Sequence, residues 1–141
     1  MSSITTDQGI VHYEVYGRGR PVILLHGWLG SWGLWQETMT FLGQYYRTYA
    51  LDFWGFGESG KKRETYRVQD FISLVDQFMD RLGIERAPLV GHSMGALAAL
   101  GTGEEEVGKR RRPVDGVDAA RARAATAVDS QPVDVVVLRV R

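Results

Sequence analysis

The sequence contains no cysteine, and its formal net charge is zero, with 17 basic and 17 acidic residues among 141. The lack of cysteine excludes a disulfide framework and any thiolate-ligated metal site. The balanced charge gives no reason to expect a nucleic acid or an anionic membrane surface as a partner. No apolar run approaches the roughly 20 residues that a membrane-spanning helix needs, and the polar first residues lack the pattern of a secretory signal. We therefore expect a cytoplasmic protein without a metal, a membrane or a nucleic-acid partner.

Aromatic residues are missing from the last third of the chain. Every Phe, Tyr and Trp lies at or before Phe78, and from Gly101 onward the sequence uses mostly Val, Ala, Arg, Asp, Glu and Gly. Such a composition lacks the apolar variety that a packed core requires. We place a boundary near residue 100, between a globular portion (1–100) and an atypical tail (101–141) that we expect to be disordered or the product of a changed reading frame.

The first hundred residues alternate between apolar runs and amphipathic segments. Strands are predicted from the β-branched, aromatic or compact apolar runs at 9–17, 20–27, 47–53 and 87–92. Apolar residues at steps of three and four predict a helix from Val68 to Leu82 that ends at Gly83. Further helices are predicted over 34–42 and from Met94. This alternation indicates an α/β domain with a largely parallel sheet, in which ligands bind at the carboxyl ends of the strands.

The segment "GHSMG" fits the nucleophile-elbow pattern Gly-x-Ser-x-Gly, with Gly91, Ser93 and Gly95 at the fixed positions. It lies between a predicted strand and an alanine-rich helix, as the elbow requires. The turn is sharp enough to force a strained backbone at the serine, and side chains at the flanking positions would clash. The alternative is a serine in an ordinary glycine-rich loop, which the strand and helix on either side disfavour.

The segment "LLHGW" follows another buried strand. Its glycine lets the chain turn back so that the Trp28 backbone N–H and the Met94 backbone N–H can form an oxyanion hole. Losing one such donor typically costs about 3 kcal/mol of transition-state stabilisation. His26 could be read as the general base, but we favour a histidine that holds the loop by local hydrogen bonds, since a base must reach the hydroxyl proton. His92 is worse placed as a base, because the side chains of adjacent residues such as His92 and Ser93 leave a strand on opposite faces.

The segment "DFWGFGESGKK" resembles phosphate-binding loops, because Gly55, Gly57 and Gly60 are spaced as Gly-x-Gly-x-x-Gly and Lys61 follows. The phosphate-binding loop needs Ser or Thr after the lysine, where Lys62 stands, and an apolar helix that begins at once. The dinucleotide version needs an acidic residue at a strand end about 20 residues later, and Asp76 falls inside the best predicted helix. Both phosphate interpretations therefore fail on context.

Together, "HGWLGSWGLW", "LDFWGFGES" and "LVGHSMG" resemble the α/β-hydrolase superfamily, in its serine-nucleophile esterase, haloperoxidase-like and proline-iminopeptidase-like branch. The resemblance covers residues 10–100. It implies an incomplete α/β-hydrolase fold: a mostly parallel sheet with helices on both faces, without the later strands and the cap. It also implies Ser93 as nucleophile, the N–H groups of Trp28 and Met94 as oxyanion hole, and a structural turn over 52–59.

The serine at position 93 argues against the dehalogenase and epoxide-hydrolase branches of that superfamily, whose nucleophile is an aspartate. Superfamily members place the triad acid and histidine well over a hundred residues after the elbow, whereas 48 residues follow Ser93 here and none is histidine. The available acids, Asp115, Asp118, Asp129 and Asp134, follow no convincing strand. The triad base is therefore not evident in this chain, and we expect negligible turnover.

Two accounts of the tail stay open: a reading-frame change near Leu100, which we favour, or a genuine extension. The resemblance implies a serine hydrolase acting on an ester, amide or related acyl substrate through an acyl-enzyme, without a cofactor. The alternatives are a non-catalytic binding module derived from a hydrolase and, more weakly, a nucleotide-binding protein using Gly55 to Lys61. A sheet cut at the elbow strand would leave one edge unpaired, and we expect self-association there. The alternative is that the C-terminal segment "DVVVLRV" docks as a strand.

Overall fold

The computed structural model describes residues 2–63, 66–110 and 135–140. In these ranges the chain forms six strands and three α-helices. The strands are β1 (Ser2–Thr6), β2 (Gly9–Tyr16), β3 (Pro21–Leu25), β4 (Arg47–Leu51), β5 (Ala87–His92) and β6 (Val135–Val140). The helices are α1 (Gln36–Leu42), which a 3-10 turn (Trp32–Trp35) precedes, α2 (Val68–Leu82) and α3 (Met94–Arg110). None of these helices is long and apolar enough to cross a bilayer.

The strands form a single sheet in the order β1-β2-β4-β3-β5-β6. The central strands β4, β3 and β5 run parallel, and the connections between them carry the helices. On one side β2 pairs antiparallel with β4 and with β1, and on the other side β6 pairs antiparallel with β5. The predicted α/β class is confirmed, and the carboxyl ends of the three parallel strands meet at one edge of the sheet.

Strand β3 is buried on both faces, which explains its uninterrupted apolar sequence. Alternate residues of β3 point to opposite sides. Ile23 and Leu25 belong to the larger core, with α2 and α3, while Val22 and Leu24 pack in the smaller core with Trp35 and the α1 region. Helices therefore cover both faces of the sheet.

Helix α2 begins and ends where its apolar spacing predicts. At its start the Asp70 carboxylate accepts a hydrogen bond from the Arg67 backbone N–H at 2.7 Å, which satisfies one of the donors that a helix terminus leaves free. At its end Gly83 has a φ of 66°, in the left-handed region that favours glycine at this position. The buried side chains of α2 are Phe71, Ile72, Leu74, Val75, Phe78 and Met79.

The outer strands are the least predictable part of the sheet. The polar segment of β1 gives little strand signal by itself and is held by its pairing with β2. The segment of β6 pairs with the whole of β5, from Ala87 opposite Val140 to His92 opposite Val135. The prediction that the elbow strand has an unpaired edge is therefore wrong, and the alternative, that the C-terminal segment docks as a strand, is confirmed, because β6 supplies the hydrogen-bonding partner of β5. Self-association through a sheet edge stays a proposal. Because β6 is now the outermost strand on this side, the proposed edge is that of β6 and not that of β5.

Helix α3 continues through the boundary placed near residue 100 and reaches Arg110. Of the rest of the tail, residues 135–140 form β6, whereas residues 111–134 and 141, which include the four candidate acids Asp115, Asp118, Asp129 and Asp134, lie outside the described residues.

Candidate active site

Ser93 is the single residue between β5 and α3, and its side chain is exposed at the carboxyl edge of the parallel strands. Its φ is 54°, a left-handed conformation that residues with a side chain rarely adopt. Such strain is found mainly where surrounding structure enforces it, often at functional sites. The strand-to-helix turn predicted from "GHSMG" is present.

The glycines around this turn are required by the close approach of backbone to backbone. A Cβ atom on Gly91 would collide with the Gly95 carbonyl group, and one on Gly95 would lie 2.6 Å from the His26 carbonyl oxygen and closer still to that of Leu25. A Cβ atom on Gly27 would lie 3.1 Å from the Ser93 Cβ atom. The loop after β3 and the elbow after β5 therefore touch.

The loop that begins at His26 carries the other predicted oxyanion donor. Trp28 and Leu29 are 66% and 81% exposed, and Leu29 has a φ of 57°. Among the hydrogen bonds of the described residues, neither the Trp28 N–H nor the Met94 N–H has an acceptor. The Trp28 ring lies edge-on to Phe56, with 5.3 Å between centroids. Trp28 follows Gly27, which contacts the elbow, and Met94 follows Ser93, so their role as oxyanion donors stays a prediction.

His26 is completely buried, and both of its ring nitrogens are occupied. Its Nε2 accepts a hydrogen bond from the Phe53 N–H at 3.0 Å, which places the proton on Nδ1, and Nδ1–H donates to the Gly27 carbonyl oxygen at 2.7 Å. The ring also packs against Phe53 and Phe56. His26 therefore ties the loop after β3 to the loop after β4 and is not a base for Ser93.

Burial lowers the pKa of His26, against smaller raising effects of its hydrogen bond to Gly27 and of the nearby Asp52 charge. Below its ordinary value of 6.5, the unfolded chain protonates this ring before the folded chain does. The free energy of unfolding should therefore fall as the pH drops below that value, and His26 should contribute no pH dependence above it.

This pH dependence can be measured by urea unfolding between about pH 8 and pH 5. We expect the stability advantage of the wild type over His26→Gln to shrink toward acid pH, while His92→Gln, the matched control, retains the acid decline. An advantage that stays constant or grows toward acid pH would contradict the neutral, buried state of His26.

The other two imidazoles of the chain are also described, and neither is hydrogen-bonded to Ser93. The buried Nδ1 of His92 has no hydrogen-bond partner and faces Gly27. His12 lies on β2, with its Nε2 close to Glu14 and Glu58. Because the sequence contains only three histidines, no imidazole of this chain holds the Ser93 proton in this structure.

Asp52 organises the turn over 52–59. The carboxylate is completely buried and accepts hydrogen bonds from the Trp32 N–H at 2.7 Å and the Glu58 N–H at 2.9 Å. Gly57, with a φ of 52°, packs its backbone against the carboxylate. The turn also positions Phe56 against Trp28.

The same contacts argue against a phosphate-binding loop between Gly55 and Lys61. The N–H groups of Gly55 and Gly60 donate to the carbonyl oxygens of Gly60 and Ile10, and that of Glu58 donates to Asp52. Phosphate cradles need such amides to point at the ligand, and here a carboxylate occupies the inside of the turn.

Sequence reasoning missed the group formed by His12, Glu14 and Glu58, whose ligand atoms lie within 4.8 Å of one another. The spacing of His12 and Glu14 in a strand puts them on one face. Glu58 joins them only because the 52–59 turn folds back onto β2, where the His12 N–H donates to Ser59 Oγ at 2.9 Å. No sequence pattern announces that contact.

A family model described as alpha/beta hydrolase fold matches residues 20–106. The chain is 35% identical to epoxide hydrolase 4 of Mus musculus over 98 residues, covering 66% of this chain and 27% of that protein. It is 30% identical to the pimeloyl-[acyl-carrier protein] methyl ester esterase of Vibrio campbellii over 89 residues, covering 63% of this chain and 33% of that protein.

Among solved structures, an epoxide hydrolase named CorEH superimposes with a TM-score of 0.71 and 26% identity, covering 74% of this chain and 37% of that one. The chain thus spans about a third or less of the length of the curated relatives named above. The similarity extends over the elbow and the loops that meet it, and it includes enzymes that act on epoxides and on esters.

Proposed function

Since the chain belongs to the alpha/beta hydrolase fold family, we propose that it carries the nucleophile and oxyanion hole of a serine hydrolase that acts on an ester, amide or related acyl substrate. The observation that supports this most is Ser93 itself: an exposed hydroxyl at a strand-to-helix junction, with a φ of 54° and a buried glycine two residues away on each side. We retain the cytoplasm as its proposed compartment.

The proposed chemistry needs no cofactor. Ser93 Oγ attacks the carbonyl carbon, its proton leaves to solvent or hydroxide, and the carbonyl oxygen becomes an oxyanion between the N–H groups of Trp28 and Met94. The positive end of the α3 dipole adds to this stabilisation. Collapse of the tetrahedral intermediate breaks the bond to the leaving group and leaves an acyl-enzyme, which water then hydrolyses.

Without an imidazole on Ser93, both halves of this reaction are slow. Oxyanion stabilisation and binding alone retain a rate of roughly 10³- to 10⁴-fold over water when triad members are removed from a serine protease. We therefore expect acylation that is detectable with activated esters and a turnover that is negligible with ordinary ones.

An epoxide-opening role is suggested by the names of several relatives, but the residue at the elbow disfavours it. In the epoxide-hydrolase branch of the superfamily the nucleophile is an aspartate, and position 93 is a serine. A second candidate, a non-catalytic binding module, is favoured by the exposed Trp28 and Leu29, which give the crevice an apolar rim.

The experiment is acyl transfer from p-nitrophenyl butyrate, followed by intact mass and peptide mapping. We expect one butyryl group on Ser93, none on Ser93→Ala, and no adduct with styrene oxide. Ser31→Ala is the matched control and should acylate like the wild type. Absence of an acyl group on Ser93 at any time would favour the binding module, and a styrene oxide adduct at the elbow would favour epoxide chemistry.

A further inference from the structure

A cluster of one histidine and two glutamates lies outside the candidate active site. His12 and Glu14 project from the same face of β2, and Glu58 reaches them from the 52–59 turn. The His12 Nε2 atom is 3.0 Å from a Glu58 carboxylate oxygen and 3.2 Å from a Glu14 carboxylate oxygen. The side chains are 5%, 27% and 54% exposed for His12, Glu14 and Glu58, so the cluster is closed on the protein side and open to solvent at Glu58.

The directions of these contacts do not suit a hydrogen-bonded ion pair. Nε2 of His12 is buried, yet it forms no hydrogen bond with either oxygen despite the short distances. Both carboxylates therefore lie off the direction in which the ring nitrogen would donate. A buried ring nitrogen without a hydrogen-bond partner is costly unless something else occupies the space in front of it.

The two separations from His12 Nε2, 3.0 and 3.2 Å, suit ligands of one cation, and all three ligand atoms lie within 4.8 Å of one another. Ligand atoms about 2.0–2.2 Å from a zinc ion lie roughly 3.0–3.5 Å apart when the bond angles are about 90–110°. In such an arrangement the lone pair of Nε2 points at the ion, and the neighbouring oxygens lie to its side. His12 agrees with this arrangement in that both carboxylate oxygens are close to Nε2 and neither accepts a hydrogen bond from it.

The supporting contacts hold two of the three ligands in place before any ion binds. The His12 N–H donates to Ser59 Oγ, and the His12 carbonyl oxygen accepts a hydrogen bond from the Asp52 N–H at 2.9 Å. Ser59 Oγ in turn donates to the Asp52 carbonyl oxygen at 2.6 Å. The backbone that carries Glu58 is thus fixed against the backbone that carries His12, and only the exposed Glu58 side chain has to adjust.

We propose that His12, Glu14 and Glu58 form a binding site for a divalent transition-metal cation, with zinc as the best fit. One imidazole and two carboxylates are donors that Zn²⁺ accepts, and three protein ligands leave a fourth position for water at the open side. Mg²⁺ and Ca²⁺ prefer all-oxygen sites, so the imidazole disfavours them. This site revises the expectation, drawn from the sequence, that the chain binds no metal.

A bound cation would fasten the 52–59 turn to β2. Through Phe56 that turn contacts both His26 and Trp28, so the ion would stabilise the wall of the candidate active site from its outer side. Its role would be structural, because His12 projects from β2 and Glu58 from the turn, whereas Ser93 follows β5, three strands away from β2 in the sheet.

The test uses tag-free, chelator-treated chain titrated with ZnCl₂ and CoCl₂, monitored by calorimetry and by cobalt absorption. We expect one metal ion per chain and a raised thermal unfolding midpoint in excess zinc. Glu58→Gln should weaken binding at least tenfold, because it removes an anionic ligand from an exposed position without altering the backbone. Glu85→Gln, an exposed acid on the loop before β5, is the matched control and should bind like the wild type.

A second measurement separates a specific site from adventitious binding. Long-range ¹H–¹⁵N NMR should show a zinc-induced shift of His12 Nε2, absent in Glu58→Gln, with His26 unaffected. Absence of zinc binding at millimolar concentration would overturn the proposal. Binding that Glu58→Gln does not weaken, or that leaves His12 Nε2 unshifted, would overturn it as well.

Discussion

Replacing Gly95 with alanine is expected to destabilise the chain by about 2–3 kcal/mol or more, although alanine is the better helix former. Helix propensity alone would favour alanine over glycine in α3 by about 1 kcal/mol. The added Cβ, however, meets the carbonyl oxygens of Leu25 and His26. These are backbone atoms at the end of β3, which cannot move away without disturbing the pairing of β3 with β5. The clash should therefore outweigh the propensity.

The measurement is urea unfolding of Gly95→Ala beside Gly33→Ala, whose Cβ would find only the Ser31 hydroxyl at 3.5 Å. Gly33→Ala should leave the unfolding midpoint within experimental error of the wild type or above it. A Gly95→Ala variant with unchanged or increased stability would mean that the elbow is not packed against β3 as described.

Replacing Asp52 with alanine is expected to cost about 2–5 kcal/mol, because it leaves two backbone donors without an acceptor at roughly 1–3 kcal/mol each. The donors are the N–H groups of Trp32 and Glu58, which the carboxylate joins across the turn. Asp52→Asn should cost less, since its amide keeps one carbonyl oxygen and loses the second acceptor. The turn should also loosen around Phe56.

Glu85→Ala removes the same charge from an exposed position and should change stability by less than about 0.5 kcal/mol. Urea unfolding followed by tryptophan fluorescence reports both the global transition and the surroundings of Trp28 and Trp32. If Asp52→Ala were as stable as Glu85→Ala, the buried carboxylate would not be the organiser of this turn.

Local signals in the sequence were sufficient for the central part of the fold. Helix α2 combines a regular apolar spacing with a glycine at its end, and the parallel strands are short apolar runs between turn residues. In both cases the spacing of apolar residues and the residues that end the element predict the same structure. The elbow was equally predictable, since the close packing at Gly91 and Gly95 leaves no alternative to glycine. The roles of Ser93, Trp28 and Met94 in catalysis stay proposals.

Contacts between distant segments were not predictable. The valine-rich sequence of β6 suggests a strand, but β6 pairs with β5 across a separation of more than forty residues, and the backbone hydrogen bonds that join them carry no sequence signature. The contact between Glu58 and His12 could not be predicted for the same reason, because it forms only when the 52–59 turn packs against β2. For His26 the loop-holding interpretation could be favoured but its partners could not be named, because the Phe53 N–H belongs to another loop.

The most direct test of the account is the pH dependence of fluorophosphonate labelling at Ser93, because a general base shows its own pKa in the rate. With no imidazole on the hydroxyl, we expect labelling far slower than in an intact serine hydrolase, absent in Ser93→Ala, and rising with hydroxide concentration without a plateau near neutral pH. Fast labelling that levels off near neutral pH and is lost in His92→Gln would contradict the claim that this chain carries the nucleophile without its base.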